Sequence, residues 1–408
     1  MSRSEWWHQL LVIVPDNVEV LDTSVLWISG GYNGEDDDEV DINSLDVQFM
    51  ADIAVTNRMT TAILYQVPNQ PIVFAEDILQ DTRDEDGSIA FTWWHFLFDP
   101  DYNAEYLLYL PMTKAAVKAM DSIKLFLTDE NSPEEIQGTN LNPTKYIVGG
   151  ASKRGWTTWI TAAVDPRVIG IMPTIMDELN FVKNIKHHWQ SYGGWTFVFE
   201  DYWILNLTQH WDDPKMQEMF DIIDVYEYRE KLLMPKLVIC AANDEFFLPT
   251  NTRYWWKDMQ GEYELNRLLL VPNSGHTGEV LITKTPVVET WINQVLEANK
   301  ALEVENKNFN LISERSTYMK DLSLFLNIPK FSWTHETDTG DITVTSEEVP
   351  ERVELWSAVS CNDKRRDWRL ANLDDPCECG LMEGGICFNT GSMWQSEVLE
   401  ETSLGNCS

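Results

Sequence analysis

Short apolar runs alternate with helix-like segments along the first 300 residues of the chain. The runs are rich in Val, Ile and Leu, and several of them end in Gly, Asn or Asp. This alternation predicts an α/β fold in which helices cover a mostly parallel sheet. The predicted strands are residues 10–16, 24–31, 61–68, 145–150, 168–175, 236–244 and 266–273.

Residues 112–127 form the clearest predicted helix. Pro111 suits the start of this helix, because the first turn offers no partner for the N–H that proline lacks. The apolar side chains recur at helical spacing and form one stripe that packs against the sheet. They are Met112, Ala116, Met120, Ile123 and Leu127.

The connection between residues 177 and 233 is too long for a loop in a compact domain. Its aromatic and helical segments predict a helical cap over about residues 178–234. After residue 300 the pattern changes to period-two alternation, which predicts a small antiparallel β unit. We therefore expect an α/β domain at 1–300, a β-rich unit at 301–372 and a poorly ordered, cysteine-rich tail at 373–408.

The composition narrows the classes of partner. A formal net charge of −36 argues against a basic face that binds nucleic acid or anionic lipid. Because no run of about 18 apolar residues occurs, we expect no membrane insertion. Most of the 18 tryptophans should lie in the core, although exposed ones would suit a sugar-binding protein.

Five of the six cysteines lie after residue 360. Such a cluster indicates disulfides in an oxidising compartment. A zinc site is the weaker interpretation, since a single residue separates Cys377 from Cys379. The triplet Asn206-Leu-Thr208 fits a glycan acceptor, and together with the clustered cysteines it leads us to expect a secreted glycoprotein. The clustered cysteines are Cys361, Cys377, Cys379, Cys387 and Cys407.

The segment VGGASKRG, residues 148–155, places one serine between a predicted strand and a predicted helix. A sharp strand-to-helix turn exposes a nucleophilic hydroxyl, and the helix directs N–H groups at developing negative charge. The usual pattern is Gly-x-Ser-x-Gly, but here Arg154 takes the place of the last glycine. The alternative is a tight glycine turn in which Ser152 has no catalytic role.

Two further reactive groups follow predicted strands. Asp244 ends the strand at 236–244, and His276 comes just after the strand at 266–273. Carboxyl ends of parallel strands meet at one edge of a sheet, and the order Ser, Asp, His is that of α/β-hydrolases. In this chemistry the imidazole takes the serine proton while the carboxylate holds one imidazole tautomer. The sequence thus predicts a triad of Ser152, Asp244 and His276.

Two loops are expected to stabilise an oxyanion. One donor is the backbone N–H of Lys153, and the second comes from Gly30-Gly31-Tyr32 at the end of the strand at 24–31, with Gly31 and Tyr32 as the candidate residues. The acidic segment at 33–41 lacks the acid spacing and the glycine of an EF-hand calcium loop, which favours a solvated loop over a calcium site; its place beside the Gly30-Gly31-Tyr32 segment would also suit selection of cationic substrates.

Three other residues are candidate substrate contacts. Gln66 and Asn69 either brace a loop or line the pocket, and Trp156 follows the serine on the predicted helix. No cofactor is expected. The adjacent His187 and His188 make a poor metal-chelating pair, because neighbouring side chains point in different directions.

The site segments closely resemble the PhoPQ-activated pathogenicity-related protein family, whose eukaryotic branch is known as autocrine proliferation repressor protein A. The resembling stretches include VGGASKRGWTTWITAAVDPRVIGIMP, MPKLVICAANDEFFLPTNTRYWW and LLLVPNSGHTG, and the resemblance extends to about residue 370. The family is similar to secreted α/β-hydrolases, which implies Ser152 as nucleophile, Asp244 as acid and His276 as base. Its members carry a signal peptide, which is not visible here, so the resemblance implies a truncated N-terminus.

Two functions from different classes fit these observations. The first is a secreted serine hydrolase that transfers an acyl group from a small-molecule or peptide ester or amide to water. The second is a secreted signalling or binding protein that engages a cell-surface receptor and uses the hydrolase fold as a scaffold. A complete triad favours the enzyme.

Overall fold

The computed structural model describes residues 5–34, 40–75, 77–259, 266–277, 281, 283–305, 331–373 and 377–399. Among these residues, seven strands form the central sheet and a short pair lies apart from it. The central strands are β1 (Leu10–Ile13), β2 (Val20–Ile28), β3 (Met59–Leu64), β6 (Lys145–Ala151), β7 (Val168–Thr174), β8 (Leu237–Ala241) and β9 (Arg267–Val271); the pair is β4 (Ile72–Val73) and β5 (Thr82–Arg83).

The sheet has the order β1-β3-β2-β6-β7-β8-β9. Strand β1 runs antiparallel to β3, and every other neighbouring pair in this sheet is parallel. Each of the seven predicted apolar runs overlaps one of these strands. The runs are nearly continuous in apolar residues because helices cover both faces of a parallel sheet.

Helices pack on both faces. On one face lie α1 (Leu45–Asn57) and α8 (Thr285–Glu305), and on the other α3 (Tyr109–Thr128) and α4 (Lys153–Val164), with α2 (Glu85–Phe98) beyond them. Helix α3 buries the whole apolar stripe that its sequence predicts. A mostly parallel sheet between helices, with a strand–turn–helix at its centre, is the α/β-hydrolase fold, as expected.

The insertion between β7 and β8 is helical. It contains α5 (Phe181–Tyr192), α6 (Glu200–Ile204) and α7 (Pro214–Ile223), joined by single 3₁₀ turns. Trp93 of α2 is fully buried beneath these helices, with its ring edge-on to Phe181 at 5.6 Å and to Phe220 at 5.3 Å. Aromatic packing therefore joins the cap to the main core.

The described residues of the C-terminal part form short antiparallel strand pairs. Its period-two segment forms a hairpin, and strands from 377–399 pair with strands before residue 373, across the expected boundary at 372. Disulfides Cys361–Cys379 and Cys377–Cys387 hold these short strands together. The strands are β10 (Phe331–His335) with β11 (Ile342–Ser346), β12 (Glu354–Ser357) with β16 (Gln395–Val398), and β13 (Ala371–Asn372) with β15 (Ile386–Phe388) and β14 (Leu381–Glu383).

Candidate active site

Ser152 lies at a sharp turn between β6 and α4. Its φ of 56° and ψ of −126° are unusual for a residue with a side chain, and such strain is typical of nucleophile turns. A β-carbon at Gly150 would lie 2.8 Å from the carbonyl oxygen of Arg154, so only glycine fits there. The N–H of Ser152 donates to the carbonyl of Thr174 in β7 at 2.9 Å. The sheet thus holds the turn and leaves the hydroxyl free to face the strand ends.

His276 connects Ser152 to Asp244. Its Nε2 lies 2.9 Å from Ser152 Oγ, and its Nδ1 lies 2.9 Å from each carboxylate oxygen of Asp244. The Phe246 ring covers the imidazole at 4.2 Å. The Asp244 side chain is 1% exposed and that of His276 is 12% exposed, so the pair is largely shielded from water. The structure therefore brings together all three residues of the predicted triad.

Backbone groups and a neighbouring acid surround the Asp244 carboxylate. Its Oδ1 accepts hydrogen bonds from the N–H groups of Phe246 at 2.7 Å and Phe247 at 3.1 Å. These bonds and the contact with the imidazole satisfy the Asp244 carboxylate, whose burial without hydrogen-bond partners would cost free energy. Burial, together with the nearby Asp244 charge, raises the pKa of Asp177 to about 8. Asp177 therefore stays neutral at pH 7 and adds little repulsion.

A cleft of about 250 Å³ opens at the serine hydroxyl. Among the described residues, Trp27, Ile175 and Leu281 give it apolar walls, and Lys153 and Arg154 add polar edges. The lining includes no residue of the cap at 178–234. The cap packs on α2 and α4 and does not, in the described part of the chain, shape this cleft.

The loop after β2 reaches the cleft at Gly30, the first residue of the predicted Gly30-Gly31-Tyr32 segment. Gly30 lines the cleft, whereas Gly31 and Tyr32 are not among its lining residues and the Tyr32 side chain is 47% exposed. Lys153 is the first residue of α4, where backbone N–H groups have no partner within the helix. The N–H of Lys153 and the loop at Gly30 therefore border the position where an oxyanion would form.

Arg154 supports the loop at Gly30. Its guanidinium donates to both carboxylate oxygens of Glu85, at 2.8 and 2.6 Å, and to the carbonyl of Val67 at 2.5 Å. Burial favours the neutral form of Glu85, but the bonds and charges of Arg154 and Lys153 hold the pKa of Glu85 well below its usual range. A β-carbon at Gly30 would lie 2.8 Å from Arg154 Nη2. The arginine in place of the usual glycine is thus a loop support.

The predicted substrate contacts are placed elsewhere. Gln66 is buried, and its backbone N–H donates to the carbonyl of Gly30 at 2.7 Å. The side-chain amide of Asn69 donates to the carbonyl of Trp7. Trp156 is buried in the core, and its indole N–H donates to the carbonyl of Ile223 at 2.6 Å. Gln66 and Asn69 therefore brace loops, as one of the two interpretations had it, and Trp156 packs the interior.

Other candidates contribute nothing to this cleft. His187 and His188 contact different threonines, Thr250 at 2.9 Å and Thr196 at 3.1 Å. Asn206, in the glycan triplet, is exposed. Residues 35–39 of the acidic segment and Cys407 lie outside the described residues. Glu85 is the main site residue that sequence reasoning missed, because no local pattern links it to Arg154, 69 residues away.

Comparison with known proteins assigns the chain to a family. A family model described as PhoPQ-activated pathogenicity-related protein matches residues 1–369. The chain belongs to this family. It is 31% identical over 381 residues to autocrine proliferation repressor protein A of Dictyostelium discoideum, a match that covers 92% of this chain and 68% of that protein. The family match ends before the strands at 377–399, which are therefore described by the structure alone.

Solved structures with similar folds include two esterases. Acetyl xylan esterase from Paenibacillus sp. R4 is 15% identical with a TM-score of 0.44, covering 68% of this chain and 78% of the esterase. Est1E from Butyrivibrio proteoclasticus is 12% identical with a TM-score of 0.40, covering 71% of this chain and 94% of Est1E. Similarity at this level concerns the fold and does not extend to the reaction. None of the helices built from described residues is long and apolar enough to cross a membrane.

Proposed function

We propose that this protein is a serine hydrolase that transfers an acyl group from an ester or amide to water. The observation that carries the proposal is His276, whose two ring nitrogens lie 2.9 Å from Ser152 Oγ and from the Asp244 carboxylate. That arrangement is what a serine hydroxyl needs to become a nucleophile.

In the proposed acylation, Ser152 Oγ attacks the carbonyl carbon of the substrate. His276 Nε2 takes the hydroxyl proton, and Asp244 stabilises the imidazolium that forms. The oxyanion accepts hydrogen bonds from the N–H of Lys153 and from the loop at Gly30. His276 then donates its proton to the leaving group, and the acyl group remains on Ser152.

Deacylation repeats these steps with water as the nucleophile. His276 takes a proton from the water, which attacks the acyl-enzyme, and then returns the proton to Ser152 Oγ. The small cleft favours a short acyl chain, so p-nitrophenyl acetate should be hydrolysed faster than p-nitrophenyl decanoate.

The proposal is tested with a fluorophosphonate probe, which requires the hydroxyl, the base and the oxyanion donors together. We expect labelling of Ser152 and none in Ser152→Ala. Ser152 is half-buried at a surface turn, and removal of its hydroxyl leaves little cavity, so the stability should change by less than about 1 kcal/mol. A folded wild-type protein that never labels would overturn the proposal.

A second candidate rests on the 31% identity to an autocrine proliferation repressor. In that case the protein is a secreted signal, and the hydrolase fold serves as a binding surface. A proliferation assay with the wild type and Ser152→Ala separates the two. Equal growth inhibition by both proteins favours the signal, whereas loss of inhibition together with labelling favours hydrolysis.

A further inference from the structure

The disulfide-bonded end of the chain packs directly against the two loops that carry Asp244 and His276. We define the C-terminal clamp as residues 366–373 and 377–394. Disulfide Cys361–Cys379 links the second segment to the chain just before the first, and Cys377–Cys387 closes a loop within the second segment. None of its described residues lines the cleft at Ser152. Its contacts therefore bear on the position of the site residues and not on substrate binding.

The clamp holds the acid loop through Asn243, the residue before Asp244. The carbonyl of Asn243 accepts from the N–H of Leu370 at 2.8 Å, and its side-chain amide donates to the carbonyl of Trp368 at 2.5 Å. Asn243 is fully buried, so these bonds do not compete with water.

The same clamp holds the histidine loop through Asn273. The side chain of Asn273 accepts from the N–H of Trp394 at 2.7 Å and donates to the carbonyl of Trp394 at 2.8 Å. Asn243 also accepts from the N–H of Asn273 at 3.0 Å, so the two loops and the clamp form one hydrogen-bonded set.

Glu245 joins all three segments. One of its carboxylate oxygens accepts from the backbone N–H of His276 at 2.7 Å, and the other accepts from the N–H of Ala371 in the clamp at 3.2 Å. A single side chain thus fixes the backbone of the histidine relative to the acid loop and the clamp. Misplacement of a reacting group by about 1 Å can cost a factor of about 100 in rate.

We infer that the C-terminal clamp, acting through Glu245, Asn243 and Asn273, is a positioning device that sets the distance between His276 and Ser152. The inference rests on the proposed function of Ser152. Each disulfide has at least one cysteine in the second segment of the clamp, so we expect reduction to loosen the clamp and slow the reaction. Reduction by a dithiol, which supplies two electrons and two protons to each disulfide, should release the two loops.

The test compares Glu245→Ala, Glu245→Gln and dithiothreitol-treated wild type in fluorophosphonate labelling. Positioning predicts a rate constant about 10- to 100-fold lower in Glu245→Ala and in the reduced protein, with the final labelled fraction unchanged. Glu245→Gln keeps one acceptor oxygen, so its labelling rate constant should lie between those of the wild type and Glu245→Ala. Simple destabilisation would instead lower the labelled fraction. Trp333→Ala, on the hairpin β10–β11 and 67% exposed, is the control and should label like the wild type.

Hydrogen exchange distinguishes failure of this inference from failure of the proposed function. We expect amides of residues 242–245 and 273–276 to exchange at least tenfold faster after reduction, whether or not the protein labels. If the wild type labels and neither the reduced protein nor Glu245→Ala labels more slowly, the inference is wrong. If the wild type does not label, the proposed reaction is wrong, and the clamp is then judged by hydrogen exchange alone. Unchanged exchange in the two loops after reduction would show that the clamp does not hold them.

Discussion

At the scale of single residues, Asp177 shows how the fold changes a common side chain. It follows β7 and is fully buried beside Cys240 and Asp244, and burial raises its pKa to about 8. In the unfolded chain this carboxyl ionises near the ordinary value of 3.8. Its contribution to stability is therefore complete below pH 4 and is lost as the pH rises through about 8.

Asp177→Asn should remove this pH dependence, because asparagine does not titrate. Between pH 5 and 8 the free energy of unfolding of the variant should increase relative to wild type, by at most about 1.4 kcal/mol per pH unit. Thermal melts at pH 5, 6, 7 and 8 measure the difference. The exposed Asp101→Asn serves as control. A difference between Asp177→Asn and wild type that stays constant over this range would contradict the argument.

At the scale of elements, helices α2 and α4 meet through the Glu85–Arg154 pair beside the loop at Gly30. Glu85 begins α2, and Arg154 lies in the first turn of α4. The pair is more than a surface salt bridge, because Arg154 is 9% exposed and also bonds the carbonyl of Val67. Its main consequence is the position of Gly30.

Arg154→Ala should lower kcat by about 10²-fold, similar to the loss of one oxyanion donor, because the loop at Gly30 loses its support. Arg154→Lys should recover part of this loss, since a single ammonium cannot replace the bidentate contact. Arg167→Ala removes a comparable pair with Asp165 at the opposite end of α4 and is the control. An unchanged kcat with a p-nitrophenyl ester in Arg154→Ala would show that the loop does not depend on this pair.

At the scale of the whole molecule, the disulfides bear on where the protein works. Persistent disulfides form in oxidising compartments, which supports the proposal of a secreted protein. A C-terminal segment made of strands of two to five residues has little core of its own, so its order depends on these cross-links.

Alkylation of protein from its native source, followed by mass spectrometry, should find Cys361 linked to Cys379 and Cys377 linked to Cys387. Cys240 is buried and should react only after denaturation, which provides an internal control for thiol reactivity. Four free thiols at the linked positions would contradict both the pairing and the proposal of secretion.

The sequence by itself determined the α/β-hydrolase fold and the order of Ser152, Asp244 and His276. Strand periodicity, glycine turns and the position of a residue at a strand end are local signals, and parallel strands bring their carboxyl ends together. The same reasoning failed for Trp156, since a tryptophan near a nucleophile has no local mark that separates a core residue from a substrate contact.

Only the tertiary structure decided what supports the three residues. The partners are far apart in the chain: 69 residues separate Glu85 from Arg154, and 126 separate Glu245 from Ala371. A carboxylate can pair with any N–H or guanidinium that the fold brings near, so neither end of such a contact carries a pattern of its own. The position of the C-terminal clamp on the acid and histidine loops arises in the same way, from the packing of the folded chain.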